Sequence, residues 1–225
     1  MVNNFRKNIS NPKGFIAIIA EIKLASPSTG RLGDVLDVEK KIKAYEKGGA
    51  DCISVVVESR RFGGSYELLR EVKSYSNLPI LCKDFVTDES FIYKAKDYGA
   101  DAILLIARIV SLDKLVKLVK LGRELGIEPV VEVFDKDDLE KAILTRTNFV
   151  AVNARDLDTF KINVDQACKL LRKTPRKFLR LGFSGVVSRK EVVQYKNAGV
   201  LGVLVGTILM KGEDPELIIK ELKDI

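Results

Sequence analysis

The sequence predicts an α/β fold, a single (β/α)8 barrel spanning residues 1–225. Three observations carry this. Apolar runs of strand length recur eight times, roughly 20–35 residues apart, with amphipathic stretches of helical period between them. The tripeptide Gly-Ala-Asp occurs at 49–51 and again at 99–101, each time between a helical stretch and an apolar run. Finally, several of the apolar runs finish on a charged or amide residue that a core would not select. A doubly wound open sheet is the main rival, but no G-x-G-x-x-G turn follows the first run.

The expected strands are 16–23, 52–57, 79–83, 102–107, 129–134, 149–153, 178–183 and 201–205. Helical periodicity is clear over Val35–Lys47, Ser65–Ser74, Ser111–Leu125, Asp135–Leu144 and Val187–Ala198. Ser111, Asp135 and Ser188 stand where an N-cap oxygen is needed. Gly49, Gly99, Gly126 and Gly199 stand where a helix must stop in a left-handed turn.

Composition narrows the function classes. No apolar run reaches the roughly 18 residues of a membrane span, and the N-terminus lacks the apolar core of a secretory signal. The expectation is a cytoplasmic protein without membrane partners, and a monomer. The net charge of +7 could suit nucleic acid. The lysines are interleaved with acids along helices, however, so no nucleic-acid partner is expected, and an anionic small substrate uses that charge better. High Lys and Glu content suits a thermostable protein. There is no histidine, and Cys52, Cys82 and Cys168 lack metal-ligand spacing. No metal and no cofactor are therefore expected, and acid–base chemistry falls to Glu, Asp, Lys or Tyr.

Side chains alternate faces along a strand. Glu21 shares a face with Lys23, Val55 with Val57, Leu81 with Lys83, and Leu104 with Ile106. Glu132 likewise pairs with Phe134, Ala151 with Asn153, and Leu181 with Phe183. One inward set thus gathers Glu21, Lys23, Lys83, Glu132 and Asn153 at the C-terminal mouth, where barrels of this kind do chemistry. Ser26 after the first strand, Ser184-Gly185 after the seventh and Gly206-Thr207 after the eighth form a phosphate-sized cradle of small residues.

These motifs resemble the indole-3-glycerol phosphate synthases over about Ile16–Leu222. The resemblance is carried by Ala20-Glu21-Ile22-Lys23 with Ser26-Pro27-Ser28, by Glu58 with Phe62-Gly63-Gly64-Ser65, and by Pro79–Phe85. It continues in Glu128–Val133 and in Asn153-Ala154-Arg155-Asp156-Leu157. It implies a (β/α)8 barrel that closes the indole ring of an anthranilate-derived ribulose phosphate with loss of carbon dioxide and water. By motif position, Lys83 resembles the general acid and Glu132 the general base, with Glu21, Lys23 and Asn153 orienting substrate. Ser26, Ser184, Gly185, Gly206 and Thr207 match the phosphate site.

The chain also departs from that pattern. The family's seventh strand normally ends Ala-Glu-Ser-Gly, and here it reads Gly182-Phe183-Ser184-Gly185. Val57 stands where the family has Thr, Phe134 where it often has His or Asn, and Ile208 where it is usually small. The family's extra N-terminal helical segment is expected to be missing. A pocket lined by Phe134, Phe183, Val57, Glu58, Leu81, Ile106 and Ile208 would suit a flat aromatic substrate, with or without a phosphate. This leads to the expectation of an engineered barrel whose general base Glu132, or else Glu21 or Glu58, takes a proton from an aromatic heterocycle in a Kemp-type elimination. The alternatives are the synthase reaction itself, a lysine Schiff-base retro-aldolase using Lys83 or Lys23, and a non-catalytic ligand-binding scaffold.

Overall fold

A computed structural model describes residues 3–27, 29–156 and 159–224. Ser28 and Leu157 of the motifs above lie outside the described residues. Eight parallel strands close into a barrel: β1 Ala17–Ile22, β2 Cys52–Val56, β3 Ile80–Lys83, β4 Ala102–Ile106, β5 Glu128–Val133, β6 Phe149–Asn153, β7 Leu179–Phe183 and β8 Gly202–Val205. Each pairs with its sequence neighbours, and β8 closes on β1 through Ala17↔Gly202 to Ala20↔Val205. The expected strands coincide with the observed ones to within a residue or two at each end.

The helices are α1 Asn4–Ser10, α2 Val38–Lys47, α3 Ser59–Phe62, α4 Tyr66–Tyr75, α5 Glu89–Asp97, α6 Leu112–Glu124, α7 Lys136–Leu144, α8 Val164–Lys173, α9 Arg189–Asn197, α10 Thr207–Lys211 and α11 Pro215–Lys223. The capping oxygens act as expected: Ser111 accepts from the Lys114 N–H, Asp135 from Asp138, and Ser188 from Lys190 within a full capping box with Glu191. None of the described helices is long and apolar enough to cross a membrane.

Strand alternation produces two apolar layers. Outward-facing residues such as Ile18, Ile53, Ile103, Val131, Val150 and Val203 pack under the helices. Ile19, Cys52, Leu81, Leu104, Val130, Ala151, Leu181 and Leu204 fill the barrel interior. Helix α1 closes the bottom of that interior. Its Phe5 and Ile9 are fully buried, and the Phe5 ring meets Phe149 edge-on at 5.5 Å.

The Gly-Ala-Asp repeats explain the same end of the barrel. Gly49 and Gly99 take positive φ to stop the preceding helix. Each aspartate then accepts a backbone N–H from the strand beside it, Asp51 from Ile18 at 2.8 Å and Asp101 from Ile80 at 2.9 Å. Asn8 and Asn3 of the α1 region donate to the carbonyls of Asp51 and Asp101 and so latch the helix in place. Lys223, fully buried, reaches Asp51 at 2.6 Å and the Gly49 carbonyl at 2.7 Å, tying the last helix to the first strands. Replacing Lys223 by Met leaves Asp51 buried without its counter-charge. We expect a loss of roughly 3 kcal/mol in urea unfolding. A loss below about 1 kcal/mol would show that the backbone donors suffice to hold Asp51.

Candidate active site

The C-terminal ends of the strands enclose one large cleft. Its polar floor comes from β1, β3, β5 and β6, which deliver Glu21, Lys23, Lys83, Glu132 and Asn153 to the same space. The sequence set is therefore brought together as strand alternation requires.

Glu21 is almost completely buried and accepts from two ammonium groups, Lys23 Nζ at 2.8 Å and Lys83 Nζ at 3.3 Å. Burial by itself would raise its pKa. The two lysines outweigh burial and lower it to about 2. Burial likewise pulls the Lys83 pKa down, but Glu21 and Glu132 together raise it above the ordinary lysine value. Glu132 is different. Burial is its largest influence and raises its pKa, Lys83 and Asn153 only partly oppose that, and the charge on Glu21 adds to it. Its Oε1 accepts from Asn153 Nδ2 at 3.1 Å, while Oε2 has no hydrogen-bond partner among the described residues. Asn153 is in turn oriented by the Arg155 N–H, which donates to its Oδ1 at 3.0 Å. Two buried carboxylates thus carry opposite perturbations: one is pinned as an anion, the other is a desolvated, half-partnered base.

Small residues ring the opposite side. Ser26, Ser184, Gly185, Gly206 and Thr207 all line the cleft. Ser184 and Gly185 both take positive φ, which turns the chain sharply after β7. Tyr195 holds that turn by donating its hydroxyl to the carbonyls of Phe183 and Ser184. It can reach them because residue 182 is glycine: a Cβ there would sit 2.4 Å from the Tyr195 ring. Gly206 caps the start of α10, whose first-turn N–H groups lack helical acceptors. A Cβ on Gly206 would meet Glu21 Oε1 at 2.5 Å, so the glycine also leaves room for the buried carboxylate.

The apolar wall is not the one the sequence suggested. Val57 points outward into the layer beneath the helices, because Ile19↔Cys52 and Glu21↔Ser54 pairing sends Cys52, Ser54 and Val56 inward. The run Cys52–Val57 is apolar at nearly every position, so alternation left no trace of its facing. Phe134 lies outside the cleft, its ring 4.6 Å from the Arg108 guanidinium, which is itself held by Asp135 and Asp138. Ile208 packs on the outer layer from α10. Leu81 and Phe183 are fully buried in the barrel interior beneath the cleft. Ile106 does line it. Glu58 also lines it, but its oxygens accept the N–H groups of Arg60, Arg61 and Phe62 as the cap of α3, which removes it as a free base.

Three aromatic rings do line the cleft, Phe62, Phe85 and Phe160; the first two lie 6.4 Å apart, with the Arg61 guanidinium 5.7 Å from the Phe85 ring. Phe62 ends α3 just past β2, and Phe85 lies in the loop past β3. Their signal was their place in the quoted motifs, Phe62-Gly63-Gly64 and Lys83-Asp84-Phe85. Asp84 completes that side, while Arg155, Phe160 and Ile162 line the cleft from the chain after β6, with Ile162 beside Gly185.

A parallel eightfold barrel with ionisable residues gathered at its C-terminal mouth has the architecture of a barrel enzyme. The fold recurs in 3-hexulose-6-phosphate synthase from Salmonella typhimurium (TM-score 0.75, 16% identity, covering 93% of this chain and 97% of that one). It also recurs in a chain of the Pyrococcus furiosus tryptophan synthase complex (TM-score 0.70, 20% identity, covering 95% and 99%). At those identities the likeness concerns the fold alone. Residues 2–222 match the family model for indole-3-glycerol phosphate synthase. The chain is 42% identical over 208 residues to the indole-3-glycerol phosphate synthase of Aquifex aeolicus (91% of this chain, 80% of that protein). It is 38% identical over 215 residues to that of Petrotoga mobilis (93% and 85%). The chain belongs to the indole-3-glycerol phosphate synthase family.

This overturns the expectation of an engineered barrel for Kemp-type elimination. Natural relatives match nearly the whole chain at about 40% identity, and the oily residues that prompted that reading, Val57, Phe134, Phe183 and Ile208, do not line the cleft.

The Glu21 ion pairs yield a signed prediction. The folded pKa, about 2, lies below the roughly 4.3 of an unfolded glutamate. The stabilisation is therefore present above that pH and is lost as pH falls toward 2. It amounts to on the order of 3 kcal/mol. Urea unfolding of wild type and Glu21→Gln should show a stability gap at pH 7 that narrows steadily between pH 5 and pH 2. A gap independent of pH would mean that the loss reflects packing and not charge.

Proposed function

We propose that this chain catalyses the indole-3-glycerol phosphate synthase reaction, in which an anthranilate-derived ribulose phosphate closes to an indole with release of carbon dioxide and water. The observation that carries this reading is the pairing in one cleft of a buried, half-partnered Glu132 with a Lys83 whose charge is secured by Glu21. The chemistry needs a proton delivered to a departing hydroxyl and another withdrawn from the closing ring system. A lysine kept protonated can do the first, and a desolvated carboxylate the second.

The cleft's division suits the two ends of such a substrate. Its phosphate would sit against Ser184, Gly185, Gly206 and Thr207, near the start of α10. The aromatic end would lie against Phe62 and Phe85, with Arg61 near the Phe85 ring and available to its carboxylate. Lys23 and Asn153 would orient the sugar hydroxyls between these ends.

The assay follows indole fluorescence from the ribulose-phosphate substrate. Glu132→Gln and Lys83→Met should each lower kcat by about 10²–10⁴-fold with smaller changes in KM. Either variant retaining activity within tenfold of wild type would remove that residue from the chemistry. The pH profile of kcat should lose activity on the acid side at a pH above the ordinary carboxylate value of about 4.3, because Glu132 must ionise from a raised pKa. On the alkaline side activity should persist past the ordinary lysine value of about 10.4, because Lys83 loses its proton late.

A further inference from the structure

Phe183 is fully buried at the end of β7, beneath the polar floor of the cleft. Its backbone is fixed on both sides. It pairs with Asn153 of β6 and Leu204 of β8, and its carbonyl accepts from the Ala154 N–H at 2.9 Å and from the Tyr195 hydroxyl at 3.1 Å. The ring is therefore held in one place. The Lys83 ammonium lies over it, 5.5 Å from the centroid. Among the described residues Lys83 makes a single hydrogen bond, to Glu21 Oε2. An ammonium has three N–H donors, so two remain.

We propose that Phe183 is a positioning residue for the general acid, its ring face serving as a counter-charge to Lys83 that takes neither a proton nor a hydrogen bond. The proposal rests on the role given to Lys83 above. The physical point is a division of labour around one cation. A second carboxylate under Lys83 would bind one of its free N–H groups and compete for its proton. A desolvated ring face stabilises the cation through its quadrupole while leaving both donors directed at substrate. The ring also bars water from the underside of the ammonium, which confines its exchangeable protons to the cleft side.

The test uses Phe183→Leu, which keeps an apolar side chain in the interior but removes the π face, and Phe183→Tyr, which retains it. The first readout needs no turnover. With ¹³C-labelled lysine, the Lys83 Cε–H signals, assigned by Lys83→Arg, should be shifted upfield by the ring current in wild type and Phe183→Tyr, and move to the ordinary lysine position in Phe183→Leu. The second readout is catalytic. Phe183→Leu should lower kcat about tenfold and move the alkaline limb of kcat down by about one pH unit, with Phe183→Tyr restoring both. An unshifted Lys83 resonance in wild type would overturn the contact itself. A shifted resonance with an alkaline limb identical in wild type and Phe183→Leu would overturn the positioning role. A shifted resonance in a protein with no synthase activity would instead place the failure in the functional reading and leave the contact standing. Should Phe183→Leu fail to fold, the wild-type resonance and the Phe183→Tyr profile still decide the matter, since the proposal requires the first to be shifted and the second to match wild type.

Discussion

Glu21 sits almost completely buried between two lysines, and the organisation of the barrel mouth depends on that ion group. A lone carboxylate in this position would be neutral, since desolvation favours the protonated form. Two ammonium groups reverse the balance and secure Lys83 as a cation in the same stroke. They also settle how much charge is left for Glu132, which faces only a partial share of Lys83 and one amide donor. Gly206 belongs to the same constraint, because any side chain there would intrude on the Glu21 carboxylate. The anion at the centre of the floor thus links Lys83, Glu132 and the glycine at the start of α10.

The opposite end of the barrel is organised for stability by other means. There the aspartates of the two Gly-Ala-Asp repeats clamp neighbouring strands, α1 fills the open bottom with Phe5 and Ile9, and Lys223 ties the last helix to Asp51. Each of these groups is satisfied within the fold and faces away from the cleft. A barrel can vary its mouth because its base is secured separately. The buried polar groups divide accordingly: those at the bottom are fully paired, while Glu132 at the top keeps an oxygen in reserve.

The wall of the cleft shows how a physical inference can be sound in form and wrong in place. Large apolar residues at the ends of strands suggest one shared pocket and with it a changed substrate. Phe134 is instead part of an Arg108–Asp135–Asp138 cluster beside the cleft, Ile208 faces the outer layer, and Phe183 lies under the floor. The rings that do line the space, Phe62, Phe85 and Phe160, come from α3 and from the loops after β3 and β6, where alternation gives no guidance.

The sequence by itself determined the barrel, because eight apolar runs with capped helices between them admit few other packings. It also determined the polar floor. In β1, β3, β5 and β6 a charged or amide residue interrupts an apolar run, and that interruption marks which face is inward. Where a run carries no charged or amide residue, as in Cys52–Val57, the facing was decided only by the hydrogen-bond register with β1. Tertiary structure alone decided that Phe183 lies beneath Lys83, and that Glu21, not Glu132, holds the anion paired with Lys83. Those outcomes depend on distances between groups far apart in the chain, and a local pattern of residue types carries no information about them.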